Sequence, residues 1–593
     1  MRHSALFLVP LLLLPLAHCS SETADSPKAA PAADGGDEDV AENDDGGPRL
    51  DPLPSGAKVD VLFVVDNSAS MGDKQDLMAA SLTRVFATFA SADVHVGVIS
   101  SSLHDGGDVC SRDNPRANDR ARLLNKDKAG AVVAGAESGF LSFGPGGAVP
   151  DVATLQQRAA EIIRGVGETG CGLEAQLEAM YRFVAHPEPP AEIRLDDFRQ
   201  AEPSGVDWEL LAQRKAFFRP DSAVAIVMLT DEEDASIDPL AIGGFGYAFS
   251  ARSFPGSSVN RGTSAQGTTA PRGTSICATD PTNEACISCG FSTTCDPNLP
   301  ACQAIRNDAN CKESPVQAQS GPGFDGFYGP TDDDLNVRMH DMKRRYGVEP
   351  RYPIGRYVAA LSGRKLPDLA AEHPIITAAG SGQRVIGEYV QAETCSNPLF
   401  STDLPQKEGD ERCSLPPSGR DPRKVVFALI GGVPSTLLGA APDWTKILGR
   451  DPGRYDTTGI DPHMLLSVTP RAPLSGADAP KGDNGADPIH GREWTTGKKD
   501  LQYACTFALP APFECVGFER ACDCDAESTA NPPLCSGTTQ VRAKAYPTAR
   551  ELWLAKELGG QAVVGSLCDL GTTGSYTAFF DDVARKLGGA FSQ

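Results

Sequence analysis

VDVLFVVDNSASMGDK, Val59–Lys74, is the stretch from which the fold can be read. It begins as a continuous apolar, β-branched run, the pattern of a strand covered on both faces. It stops at Asp66, and hydroxyls follow at alternate positions, Ser68 and Ser70, before Met71 and Gly72. Four further runs have the same character: VHVGVIS at 94–100, AVAIVMLTD at 223–231, KVVFALIGG at 424–432 and QAVVGSLC at 561–568. Amphipathic helical patterns lie between them, at 74–90, 172–185, 548–558 and 576–588. Strands alternating with helices predict an α/β fold, a mostly parallel sheet flanked by helices. Ligands of such sheets sit at the carboxyl ends of the strands. Asp66 and Asp231, each just after a strand, are therefore expected at one rim.

The last strand and helix lie near residue 590, so the α/β domain is expected to use both ends of the chain. Its sheet elements fall at about 59–232, 424–432 and 547–590 of a domain spanning 56–593. Loop-rich insertions at about 235–350 and 434–545 interrupt it, in keeping with 60 Gly and 46 Pro in 593 residues. The formal net charge of −24 repels phosphate backbones and argues against nucleic acid as a partner.

The chain opens MRHSALFLVPLLLLPLAHCS. A short basic start before a Pro-broken apolar stretch is too short to span a membrane and reads as an export signal over residues 1–19. Its end, Leu16-Ala17-His18-Cys19, resembles the bacterial lipobox, with His18 departing from the pattern. That resemblance implies lipidation of Cys19, a membrane anchor, and a cell-envelope location, outer membrane or cell surface. Residues 20–55 are acidic and rich in Ala, Gly and Pro, and read as a disordered tether.

With Cys19 set aside, sixteen of the 17 Cys remain: Cys110, Cys171, Cys277, Cys286, Cys289, Cys295, Cys302, Cys311, Cys395, Cys413, Cys505, Cys515, Cys522, Cys524, Cys535 and Cys568. An exported chain with an even remainder is expected to pair them as disulfides, mostly within each insertion. Cys110 and Cys171, on neighbouring rim loops, are the expected longer bridge. Zinc at Cys286-x-x-Cys289 is the alternative, disfavoured because neither Cys cluster contains a His.

Asp66-x-Ser68-x-Ser70, GETGCGLEAQLEA at 167–179 and VMLTDEED at 227–234 resemble the von Willebrand factor type A domain family. The resemblance implies a Rossmann-like sheet and a metal-ion-dependent adhesion site. Carried over by position, its ligands are Asp66, Ser68, Ser70, Thr169 and Asp231. Mg²⁺, or Mn²⁺ or Ca²⁺ in its place, takes oxygen ligands, and hydroxyls supply them without adding charge. Neutral ligands leave the ion electron-poor and ready for a carboxylate from a partner. Helix capping by Ser68 or Ser70 is the plainer alternative. Two further acidic runs read as structural: TDDDLN at 331–336 as a helix start capped by Thr331, and Glu232–Asp234 as a solvated turn.

The expected function is therefore a cell-envelope adhesion or binding protein. It would engage a carboxylate of a protein or other surface ligand through a divalent metal. The alternative is an exported metal-dependent hydrolase with catalytic residues in the insertions, although no base–nucleophile constellation is legible and the nine His are scattered.

Overall fold

The computed structural model describes residues 50–593 except 115–116, 261–266, 292–304, 306, 312–325, 472–473, 475–486, 516–521, 525–532, 570–575 and 592–593. The signal segment, Cys19, most of the tether, Cys295 and Cys302 lie outside the described residues. The folded body starts earlier than residue 56. Leu53 is buried, and its N–H donates to Thr88 O at 2.8 Å.

The opening apolar run forms β1 (Lys58–Val65), and every residue from Val59 to Val65 is buried. It pairs in parallel with β2 (Asp93–Ser100) on one side. On the other side it pairs with the fourth strand of the sheet, Ala223–Leu229, also in parallel. The remaining strands are β3 (Leu141–Phe143), β5 (Val425–Gly431) and β6 (Ala562–Ser566), and Ala223–Leu229 is β4. The sheet order is β6-β5-β4-β1-β2-β3, with only β3 antiparallel to its neighbour. It is a mixed, mostly parallel six-stranded sheet, and the five long apolar runs supply all of its parallel strands.

Two cores follow from strand alternation. Val59, Val61, Phe63 and Val65 face one layer of helices, α1 (Gly72–Ala80), α2 (Thr83–Ala87), α3 (Val152–Gly165) and the C-terminal Thr577–Gly589. Leu62 and Val64 face the other, α4 (Gln176–Val184), α5 (Trp208–Phe217), α6 (Ile354–Ser362) and α7 (Ala549–Leu558). The helix expected over 74–90 is two helices. Ser81 Oγ donates to Leu77 O at 2.7 Å and accepts from Tyr576 N at 3.0 Å, a side-chain bond that competes with helix continuation.

An acid also sits near the start of β1. Asp60 is fully buried, but Arg219 donates to it through Nε at 2.8 Å and backbone N at 3.0 Å. Ser222 donates to the same carboxylate, and Arg420 reaches both Ser222 O and Ser222 Oγ. This acid is neutralised by arginine, as a buried carboxylate requires.

The insertions carry little regular structure and are braced by disulfides. Among the described residues seven form: Cys110–Cys171, Cys277–Cys286, Cys289–Cys311, Cys395–Cys413, Cys505–Cys568, Cys515–Cys522 and Cys524–Cys535. They point to an oxidising, non-cytoplasmic setting. Among the described residues no helix is long and apolar enough to cross a membrane.

The expected Cys110–Cys171 bridge is present. Cys505 leaves its own cluster and pairs with Cys568, just beyond β6. This ties the ribbon of Cys505–Glu514 and Thr539–Ala545 to the edge of the sheet. The bridge closes a loop with a sequence separation of 63. Replacing both cysteines with Ala should destabilise the protein by about 4 kcal/mol on the loop-entropy scale. Urea midpoints of the double variant check this, and an unchanged midpoint would show the bridge to be idle.

Candidate metal centre

Asp66 follows β1 directly and continues its ladder, its N–H donating to Leu229 O at 2.9 Å. The loop then turns on the Asp66 side chain, whose Oδ1 accepts from Ser68 N at 2.7 Å. Oδ2 accepts from Thr230 Oγ1 at 2.7 Å, which joins the ends of β1 and β4. Ser68 Oγ and Ser70 Oγ lie 3.4 Å apart, and Ser70 Oγ donates to Asp231 Oδ2 at 2.8 Å. Asp66, Ser68, Ser70 and Asp231 are thus brought to one point at the rim.

The hydroxyls do not cap α1. Its N-cap is Met71, which makes no side-chain cap bond. Glu168, from the loop before α4, accepts from Gly72 N at 3.1 Å instead. Gly72 permits this approach, because a Cβ there would stand 2.4 Å from the Glu168 carboxyl. Gln75 locks the same two loops together, donating to Asp66 O at 3.0 Å and Gly167 O at 2.8 Å. Thr169, by contrast, is exposed and is not among the residues lining the cleft, whereas Glu168 is. The residue that the second loop brings to the rim is the acid beside the expected threonine.

Asp66 and Asp231 are both fully buried. Among the described residues Asp66 has no Lys or Arg partner, in contrast to Asp60 at the other end of the same strand. Burial, and then the charge of Asp231, push the Asp66 carboxyl up to about 7. Asp231 Oδ1 is buried without a hydrogen-bond partner. An acceptor in that state is destabilising unless a cation meets it. This orphan oxygen, the two serine hydroxyls and the Asp66 carboxylate form an all-oxygen donor set that suits Mg²⁺, Mn²⁺ or Ca²⁺.

One resident cation stands close by. Lys74 Nζ lies 3.1 Å from Asp231 Oδ2 and 3.3 Å from Asp73 Oδ1, and donates to Ser70 O at 2.7 Å. Burial opposes its charge, but Asp231 and then Asp73 more than offset this and hold the ammonium above its usual value.

Beside Ser68, Ser70, Asp73 and Glu168 opens a cleft of about 470 Å³, with Asp66 and Asp231 buried behind its lining. One wall is the rim itself, with Glu174 and Glu232. The other comes from both insertions, through His340, Asp500, Asp523, Lys544 and Tyr546. Burial, then Asp66, raises Glu174 well above the usual carboxylate range, and burial, then Asp231, does the same for Glu232. Lys544 is held by Asp523 at 2.8 Å. Tyr546 N donates to Asp231 O at 2.8 Å, so the second insertion is fastened to the rim next to the acid.

Two structural readings of acidic runs are corrected. The turn at 331–336 is capped by Asp334, whose side chain accepts from Asn336 N, not by Thr331. Its Asp333 is buried against Arg338 at 2.9 Å. Asp234 is likewise buried rather than solvated. It accepts from Leu177 N at 3.1 Å and pairs with Arg550 at 3.1 Å. Asp234 looks solvated in sequence because its partner Arg550 lies 316 residues further on. No protein-family model matches the chain, and no curated protein matches it.

Proposed function

We propose that the protein is a type A domain-like adhesion or binding protein of the cell envelope. Asp66, Ser68, Ser70 and Asp231 would hold a divalent cation, and a carboxylate from a protein or other surface ligand would complete its coordination. The observation that carries this reading is the unpartnered, buried Asp231 Oδ1 beside an Asp66 that has no cationic partner among the described residues. Glu168 takes the place given to Thr169 as the second loop's contribution, directly or through water. The acidic cleft adds a requirement: groups flanking the partner's carboxylate should be neutral or cationic. Cys19 would carry a lipid, with the tether holding the body off the membrane. Mass spectrometry of the membrane-extracted protein reads the modified N-terminus, and an unmodified N-terminus downstream of Cys19 would remove the anchor.

Lys74 supports a second reading, in which its ammonium is the built-in cation of the rim and no metal is needed. The two readings separate on Lys74→Met. A unit charge within several ångströms of a divalent ion repels it by a few kcal/mol at an effective dielectric of about 20. Under the metal reading, Lys74→Met should therefore tighten Mg²⁺ or Mn²⁺ binding by about tenfold or more, measured by calorimetry. Capture of envelope proteins by the folded body should be lost in EDTA and restored by Mg²⁺. Capture that is indifferent to EDTA but lost in Lys74→Met would overturn the metal reading in favour of the lysine.

A further inference from the structure

The second insertion holds a buried cluster that the reading above does not use. His463, Asp487 and His490 converge, with ligand atoms all within 4.8 Å of one another. His463 Nε2 lies 3.0 Å from Asp487 Oδ2, and His490 Nδ1 lies 2.8 Å from Asp487 Oδ1. The two imidazole rings are 5.0 Å apart and perpendicular. The three side chains are 9%, 6% and 0% exposed.

The remote nitrogens of both rings are occupied by other carboxylates. His463 Nδ1 meets Asp461 Oδ1 at 2.7 Å, and His490 Nε2 meets Glu493 Oε1 at 2.5 Å. Glu493 is held in turn by Arg471, through Nε at 2.9 Å and Nη2 at 2.7 Å. A proton on each remote nitrogen fixes the tautomer. The lone pair of His463 Nε2 then points toward the Asp487 carboxylate, and His490 Nδ1 stands 2.8 Å from it but off its axis. Lone pairs facing an anion in a buried site require a positive centre between them. This is the carboxylate–histidine arrangement that orients metal ligands.

A second proton on each ring is the competing arrangement. It fits His463, whose Nε2 is aligned with Asp487, but not His490. His490 Nδ1 is buried and has no hydrogen-bond partner, because the nearby Asp487 oxygen is out of alignment. That oxygen already accepts from Ile489 N at 2.9 Å and His490 N at 3.1 Å. Asp461, Asp487 and Glu493 carry three negative charges against the single positive charge of Arg471; one divalent ion or two imidazolium rings would balance them equally, so the choice rests on the geometry at His490.

We propose that His463, Asp487 and His490 form a second metal site, bound through His463 Nε2, His490 Nδ1 and Asp487 Oδ2, for Zn²⁺ or a similar borderline ion. Two imidazole nitrogens and one carboxylate oxygen suit zinc and disfavour Mg²⁺ and Ca²⁺. Water would fill the remaining position. The role is structural. No cysteine occurs between Cys413 and Cys505, so this part of the insertion has no disulfide of its own. Arg471 also donates to His463 O at 2.8 Å and to Tyr503 O at 2.5 Å. A metal clamp here would hold the base of the ribbon that carries Tyr546 to the rim.

The test uses the full chain, incubated with one to two equivalents of Zn²⁺ and desalted. Metal analysis and zinc-edge X-ray absorption should show a retained equivalent ligated by two imidazoles and no sulfur. Asp66→Asn should retain it, and His463→Gln and His490→Gln should each weaken Zn²⁺ binding about 100-fold. If those variants fail to fold, the absorption spectrum of the unmodified protein carries the test. No retained zinc, zinc without imidazole or with sulfur ligands, or full retention in both folded histidine variants would overturn the proposal.

Discussion

Asp66→Asn is expected to weaken Mg²⁺ or Mn²⁺ binding by at least about 100-fold while making the metal-free protein more stable at pH 8. The substitution keeps the side chain's shape and its acceptor for Ser68 N, and removes only the charge. In the folded, metal-free protein the Asp66 carboxyl is pushed up to about 7, by burial and then by Asp231, from 3.8. A raised folded value means that the folded state holds the proton more tightly than the unfolded chain. The stabilisation is complete below about pH 4 and is lost as pH rises through about 7. The full loss is on the order of 4 kcal/mol, at 1.4 kcal/mol per unit. Melts in EDTA should therefore fall between pH 5 and pH 8 in the parent and much less in Asp66→Asn. Saturating Mg²⁺ should recover the loss in the parent only, because the ion binds the charged form. If the variant binds cation as tightly as the parent, the rim is a turn braced by the Asp66 side chain and nothing more.

Arg356→Ala should produce the largest loss of stability, about 3–5 kcal/mol. Arg356 is fully buried on α6. It pairs with Glu178 of α4 and with Glu372, whose Oε1 accepts from Nε at 2.8 Å. Its guanidinium also lies 3.6 Å from the centroid of the Tyr181 ring and 3.9 Å from that of Tyr352. Truncation leaves the buried Glu372 carboxylate without its cation and Glu178 with Arg182 alone. The double variant Arg356→Met, Glu372→Gln should regain most of the loss, because it removes the Glu372 charge together with its partner and leaves Glu178 paired with Arg182 at 3.0 Å. Urea unfolding of the two proteins checks the pair. Equal midpoints for the single variant and the parent would show that the arginine network contributes nothing.

The parallel strands were legible because burial on both faces writes an uninterrupted apolar run, and all five such runs became strands. Short or ambiguous elements were not. β3 has three residues, and one edge strand of that length leaves no pattern. α3 was readable in principle, since Asp151 caps it by accepting from Thr154 N and Leu155, Ala159, Ile162 and Ile163 form its buried face. It was lost in a Gly-rich neighbourhood. At the rim, Asp66, Ser68, Ser70 and Asp231 could be placed because each lies within five residues of a strand end. Thr169 could not be placed with the same security. Its loop carries Gly167, Gly170 and Gly172, and glycine-rich backbone does not fix which neighbour faces inward. The cluster of His463, Asp487 and His490 was invisible in sequence, because the insertion that assembles it has almost no periodic structure.

The order in which the strands occur along the chain also governs how the sheet is assembled. β4 ends at Leu229, and its partner β5 does not begin until Val425. β6, the outermost strand, waits until Ala562. While the polypeptide is being made, β1, β2 and β4 can associate early, with the far side of β4 unpaired. An open, wholly apolar strand edge is a template for wrong pairing with another chain. Such distant partners also make closure slow, because the intervening loop entropy is lost before any contact rewards it. The disulfide-braced insertions then have a second consequence. By closing locally as they emerge, they shorten the effective distance that β5 must search, and so the time for which β4 stands bare.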